Sequence, residues 1–136
     1  MGRKTNHADR QADSGEAAVL TFAEFESHAT DLIDQIPEKF CTQLNGGFLL
    51  LPEVKKDGEF YVMGEYVEDD IIGCSVILYY GSFAGLLKEA GRAEWLAELQ
   101  ETIRHELRHH LESLAGVEDL VLEEMAELEA FMKPDK

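Results

Sequence analysis

The chain has 136 residues, 45% of them apolar, and 28 acidic against 12 basic side chains give it a net charge of −16. That is the size of one domain with room for a core, and so acidic a surface speaks against nucleic-acid and membrane-surface roles. No apolar run approaches the roughly 18–20 residues that span a bilayer. No charged start followed by an apolar stretch suggests a secretory signal, so the expected compartment is the cytoplasm. Cys41 and Cys74 have no ligand spacing and are expected to be reduced and mostly buried.

Residues 1–18 are polar and poor in aromatics, and read as a disordered leader to a single domain over 19–133. Thr21 with Glu24 forms a capping box. Phe22, Phe25, Ala29, Leu32, Ile33 and Ile36 then make one apolar stripe at helical spacing. Pro37 ends this helix and can begin a short second one, Pro37–Leu44. Asn45-Gly46-Gly47 is a turn. Phe48–Val54 reads as a strand, Lys55–Gly58 as a hairpin turn and Glu59–Val67 as the returning strand, broken by Glu68-Asp69-Asp70. Ser75–Tyr80 is a third strand, closed by Gly81-Ser82. Helices are expected over Phe83–Ala90, Ala93–Leu114 and Asp119–Met132. The order predicts an α+β domain with a small, mainly antiparallel sheet of about three strands.

The helix over Ala93–Leu114 carries His105-Glu106-Leu107-Arg108-His109, an HExxH motif. Two histidines four residues apart lie one helical turn above one another and can share a metal ion, with the intervening glutamate as general base toward a metal-activated water. With 5 histidines in the chain, about 0.025 such matches are expected by chance. Leu96, Leu99, Ile103, Leu107, Leu111 and Leu114 form the aliphatic stripe of the same helix. At about 100° per residue, His105 and His109 fall off that stripe together. The plainer alternative is two surface histidines on an acidic helix. His110 lies within the stripe and reads as a packed core histidine. Arg104 and Arg108 read as salt-bridge partners of nearby glutamates.

Zinc needs a third protein ligand. Gly116 suits a reversal of the chain, and the following helix offers Glu118, Asp119, Glu123, Glu124 and Glu127. In a helical hairpin turning at Gly116, Glu123 comes level with His109, while Asp119 sits about 6 Å nearer the loop. Glu123 is therefore the expected third ligand and Asp119 the alternative. Glu112 shares the histidines' face, but one helix rarely supplies three converging ligands.

Several stretches resemble the bacterial mini-zincins, small metallopeptidase-like domains of the zincin superfamily. They are Thr21–Phe25, Asn45-Gly46-Gly47, Leu51-Pro52-Glu53, Met63–Tyr66, Tyr79–Ser82 and, most specifically, Arg104–Gly116. The likeness runs over roughly Leu20–Phe131. It implies a compact α+β fold and a zinc site, with His105 and His109 as ligands and Glu106 as base. The family's shorter pattern is HExxHxxGxxD. Here the glycine follows the second histidine by seven residues, as though one turn had been added to the motif helix. A matching turn on the next helix moves the family's aspartate to Glu123, whereas alignment by the glycine alone selects Asp119.

The expected activity is zinc-dependent hydrolysis of peptides or unfolded protein segments by a monomer or weak oligomer. An extended substrate would add to the edge strand beside the active helix, for which Ser75–Tyr80 is the candidate unless it is a central core strand. The alternative function is a zincin-fold zinc-binding or scaffolding module with little or no proteolysis.

Overall fold

The computed structural model describes residues 2–5, 20–115 and 121–132. The first helix, α1 (Phe22–Asp34), begins as its sequence predicts. Thr21 Oγ1 accepts from the Glu24 amide at 3.1 Å and Glu24 Oε1 accepts from the Thr21 amide at 2.9 Å. Two donors that the helix leaves open are thereby satisfied. Phe25, Ala29 and Ile36 from the predicted stripe are buried, with Phe22, Leu32 and Ile33 packed against them. The segment after Pro37 is a single 3₁₀ turn, Glu38–Cys41.

The strands are β1 (Gly2–Thr5), β2 (Gly47–Leu51), β3 (Lys56–Asp57), β4 (Phe60–Asp69) and β5 (Gly73–Tyr79). The sheet order is β1-β4-β5-β2, and β3 pairs with β4 off that path. The class is α+β as expected, but the sheet exceeds three strands and is mixed. β2 runs parallel to β5, with Gly47 opposite Ser75 and Leu51 opposite Tyr79. The predicted hairpin between the first two apolar runs shrinks to Lys56 and Asp57, opposite Tyr61 and Phe60. Pro52 explains the difference. It has no amide proton to continue the ladder, so β2 stops at Leu51 and the chain crosses to β4 in the next few residues.

That crossing is fastened by the start of α2 (Tyr80–Leu87), where Gly81 N–H donates to the Glu53 carbonyl at 2.9 Å and the Lys55 amide donates to Ser82 Oγ at 2.9 Å. A Cβ on Gly81 would lie 2.5 Å from the Val54 nitrogen. Gly81 and Ser82, expected to be a loop, are therefore the first turn of α2, with glycine where two backbones touch. β5 lies between β4 and β2 and is a central strand, so Ser75–Tyr80 does not offer an open edge. β4 runs to Asp69, past the expected break. Asp69 Oδ1 then accepts from the amides of Ile71 (2.7 Å) and Ile72 (2.8 Å) to make the turn.

Within the predicted leader, Gly2–Thr5 pairs antiparallel with Tyr61–Glu65 of β4; residues 6–19 lie outside the described residues. The chain ends in α3 (Arg92–Ala115) and α4 (Val121–Phe131), which pack together. Among the described residues no helix is long and apolar enough to cross a membrane. Cys41 and Cys74 are free thiols and half-buried.

α3 lies along β4. Thr102 stands over Gly64, where an added Cβ would come within 2.8 Å of Thr102 Cγ2 and 3.2 Å of both the Ile77 carbonyl and Leu78 Cδ2. Thr102 cannot swing aside cheaply, because its hydroxyl donates to the Glu98 carbonyl at 2.8 Å and its side chain is branched at Cβ. Gly64→Ala should therefore destabilise the fold by about 1–3 kcal/mol. Thr102→Ser removes the opposing methyl, and in the Gly64→Ala background it should recover part of that loss. Urea unfolding of both single variants and the double variant checks this: a coupling of about 0.5 kcal/mol or more is expected, and strict additivity contradicts the contact.

Candidate functional site

α3 buries a wider arc than its aliphatic stripe. Leu99, Ile103, Leu107 and Leu111 are inside as expected, but so are Trp95, Thr102, Glu106 and His110. The second set follows from the helix being pressed onto a sheet on one side and onto helices on the others. Around the helix, at about 100° per residue, His105 and His109 come roughly 60° and 20° to one side of Thr102. Glu106 and His110 come roughly 40° and 80° to the other.

His110 fixes which side is which. Its Nε2–H donates to the Thr42 carbonyl at 2.6 Å, just beyond the 3₁₀ turn, and its Nδ1 accepts from the Tyr66 hydroxyl at 2.7 Å. A carbonyl can only accept, so the proton sits on Nε2. Burial pushes the His110 pKa down, more than the Thr42 carbonyl and Glu68 push it up, and the ring stays neutral. Burial also raises the Tyr66 hydroxyl's pKa, so it remains a donor. His110 thus faces inward, as the sequence predicts. His105 and His109 turn to the other side of Thr102, and both are half-buried.

The rings of His105 and His109 converge. His105 Nε2 and His109 Nε2 are 3.1 Å apart, with the rings nearly perpendicular at 86°. Two nitrogens on one tetrahedral zinc, each at 2.0–2.1 Å, stand roughly 3.3 Å apart, so the pair fits such an ion with little movement. The separation equally suits an N–H···N hydrogen bond between neutral imidazoles. His109 Nδ1 faces Glu112 Oε1 at 3.8 Å.

Glu106 is wholly buried, and its Oε1 accepts no hydrogen bond among the described residues, although the side chain has other interactions. Arg104 pairs with Glu101 and with Glu129 at 2.6 Å, and Arg108 pairs with Glu112 at 3.0 Å and Glu129 at 2.7 Å. Both arginines are thus occupied by glutamates, as expected. Cys41 is a poor ligand or nucleophile, because burial and then Glu38 hold its thiol protonated.

α3 and α4 pack antiparallel, as the expected hairpin requires, and the turn expected at Gly116 lies outside the described residues. Gln100 Nε2 donates to the Met132 carbonyl at 3.4 Å, and Glu129 lies between Arg104 and Arg108. Continued toward the loop, this register brings the backbone of Glu123 within about one turn of His109. Glu123 is in α4, but its side chain is outside the described residues, as is Asp119 altogether. Among the described residues, no group of three or more His, Cys, Asp or Glu side chains is placed to hold a metal ion. The structure brings together His105 and His109, with Glu106 beside them on the helix. Sequence reasoning did not mark Thr102 or Gly64, which set the height of that helix. Their only signal is a glycine inside a strand pattern.

Fold and site together define an α+β domain whose sheet carries a histidine-bearing helix along one strand. A solved structure of a conserved hypothetical protein from Thermo thermophilus is similar to it, with 37% sequence identity and a TM-score of 0.60 over 72% of this chain and 100% of that one. The chain belongs to the same family as that protein. No protein-family model and no curated protein matches the sequence.

His110→Ala should destabilise the fold by about 2–4 kcal/mol, because it leaves a cavity and strips partners from the Tyr66 hydroxyl and the Thr42 carbonyl. It should leave any zinc affinity of the folded protein intact. Chemical denaturation and zinc titration below the unfolding midpoint check the two halves separately.

Proposed function

We propose that this chain is a zinc-dependent peptidase acting on peptides or unfolded segments, related to the mini-zincins. The observation that carries the reading is the convergence of His105 and His109 through their Nε2 atoms at 3.1 Å on one face of α3. These two rings would hold the ion. Glu123, or alternatively Asp119, would supply the third ligand. When bound, zinc supplies Lewis-acid polarisation of a carbonyl and an acidified water. The Glu106 carboxylate takes the proton of the attacking water and returns it to the leaving amine nitrogen. The net charge of −16 disfavours nucleic acid and anionic lipid as partners, and the free thiols at Cys41 and Cys74 accord with the cytoplasm. We take the chain to act as a monomer or weak oligomer.

Complete burial of Glu106 favours a second reading, a zinc-binding or scaffolding module without turnover, because a base must reach the water it activates. One set of variants decides between them. Wild type should bind about one zinc per chain, and His105→Ala and His109→Ala should each lose it. Undiminished binding in both variants disproves the site. Glu106→Gln should keep zinc affinity near wild type and abolish chelator-sensitive cleavage of an unstructured peptide library. No cleavage by zinc-loaded wild type establishes the module instead.

The third ligand is decided by zinc titration against a competing chelator. Glu123→Gln should weaken binding by more than the 10–100-fold typical of groups that only support a ligand. Asp119→Asn should cost less, since in the expected register Asp119 sits more than a turn nearer the loop than His109. The reverse ranking assigns the ligand to Asp119.

A further inference from the structure

A line of alternating charges runs from α4 to α3 and ends at an imidazole. Glu129 of α4 accepts from Arg104 at 2.6 Å and from Arg108 at 2.7 Å, and Arg108 Nε donates to Glu112 Oε2 at 3.0 Å. The other oxygen, Glu112 Oε1, faces His109 Nδ1 at 3.8 Å. That is longer than a hydrogen bond, but the last torsion of a glutamate is broad, so Oε1 can swing toward the ring while Oε2 stays on Arg108. The two nitrogens of His109 thus have different partners. Nε2 meets His105 Nε2 at 3.1 Å, and Nδ1, across the ring, meets the carboxylate. Glu112 therefore stands on the side of His109 away from the point where the two rings converge. From there it can orient the ring, and it cannot serve as a third ligand to an ion the two Nε2 atoms share.

An ionised carboxylate only accepts, so the nitrogen that faces it carries the proton of a neutral ring. The hydrogen bond at one nitrogen of an imidazole in turn decides what the other nitrogen offers. We propose that Glu112 positions His109, holding its proton on Nδ1 and turning the bare Nε2 toward the point of convergence. The proposal rests on the zinc-binding part of the function proposed above for its purpose, but not for its geometry. It also places the second proton. Between neutral imidazoles 3.1 Å apart through Nε2, one nitrogen donates and the other accepts. With His109 Nε2 as the acceptor, His105 Nε2–H is the donor. His109 is then set for an ion before one arrives. His105 must give up the proton on Nε2 and take one on Nδ1, with no net release.

The test reads the tautomers of the full chain in EDTA from proton–nitrogen NMR correlations of the imidazole rings. It is run at about pH 8.5, roughly two units above the ordinary imidazole pKa. Wild-type His109 should carry its proton on Nδ1, and His105 on Nε2. Glu112→Ala should move the His109 proton largely to Nε2, a change that a merely structural ion pair would not cause. The urea midpoint should barely move, since exposed ion pairs contribute little stability. Zinc affinity, titrated against a competing chelator, should fall by about 10–100-fold. A His109 proton on Nε2 in wild type, or the same tautomer in wild type and Glu112→Ala, overturns the proposal. So does unchanged zinc affinity despite a moved proton, because the placement then prepares nothing. A loss of zinc binding as complete as in His109→Ala overturns it too, by making Glu112 a ligand. Because the tautomers are read without metal, the two readings fail separately. A wild type that takes up no zinc, yet loses the Nδ1 proton on Glu112→Ala, removes the metal and keeps the positioning of the ring. Zinc uptake by a wild type with its His109 proton on Nε2 does the reverse.

Discussion

The closeness of α3 to β4 at Gly64 is the constraint on which the remaining geometry depends. A helix packed on a sheet through ordinary side chains stands about 10 Å away from it. With no side chain on Gly64 and a small one on Thr102, α3 settles lower at that point. The same low seat brings His110 within 2.7 Å of the Tyr66 hydroxyl and Ser113 into hydrogen-bonding contact with Glu68. These contacts follow β4 in step with α3, so the helix is fixed in rotation as well as height. Rotation is what matters for the site: it sets His110 on one side of Thr102 and His105 with His109 on the other.

What the sequence disclosed was local. The capping box of α1, the stripe of α3 and the inward placement of His110 are matters of helical period, which a few turns of chain contain completely. What it concealed was pairing between distant segments. Nothing in Gly47–Leu51 announces a parallel partner at Ser75–Tyr79, because an apolar run reads alike in either orientation. Pro52 was visible, but its effect as the end of a ladder depends on which neighbour the ladder has. Gly2–Thr5 is the clearest case, since its place in the sheet owes nothing to its side-chain pattern.

The site divides along the same line. The HExxH spacing predicts that two imidazoles share a face, and the 3.1 Å separation realises it. The acidic helix that follows is harder to apportion, because its glutamates are chemically alike and only tertiary contacts tell them apart. Glu127 is engaged by Lys39, and Glu129 by Arg104 and Arg108. Those three bases take up carboxylates further along α4, so the helix is anchored at its far end by ion pairs while the end nearer the loop holds Glu123. Part of the net charge thus orients α4 rather than simply coating the surface. Exposed pairs of this kind contribute little stability each, and their use here is in setting the register of one helix against another.

Glu106 makes the site hard to explain by packing alone. It is fully buried on a helix whose other inward positions are mostly apolar. Replacing a buried charged group by a well-packed apolar one of similar volume is often neutral or stabilising, so leucine at this position would serve the core at least as well. A carboxylate taken out of water also costs several kcal/mol unless positive charge or hydrogen bonds offset it. His105 and His109 neighbour it along the helix. Under the proposed metal site, a divalent ion held between the Nε2 atoms of His105 and His109 would add positive charge on the same helix as that carboxylate. As structure alone the buried carboxylate is a concession, and under either proposed reading its burial is what a function at this helix has to account for.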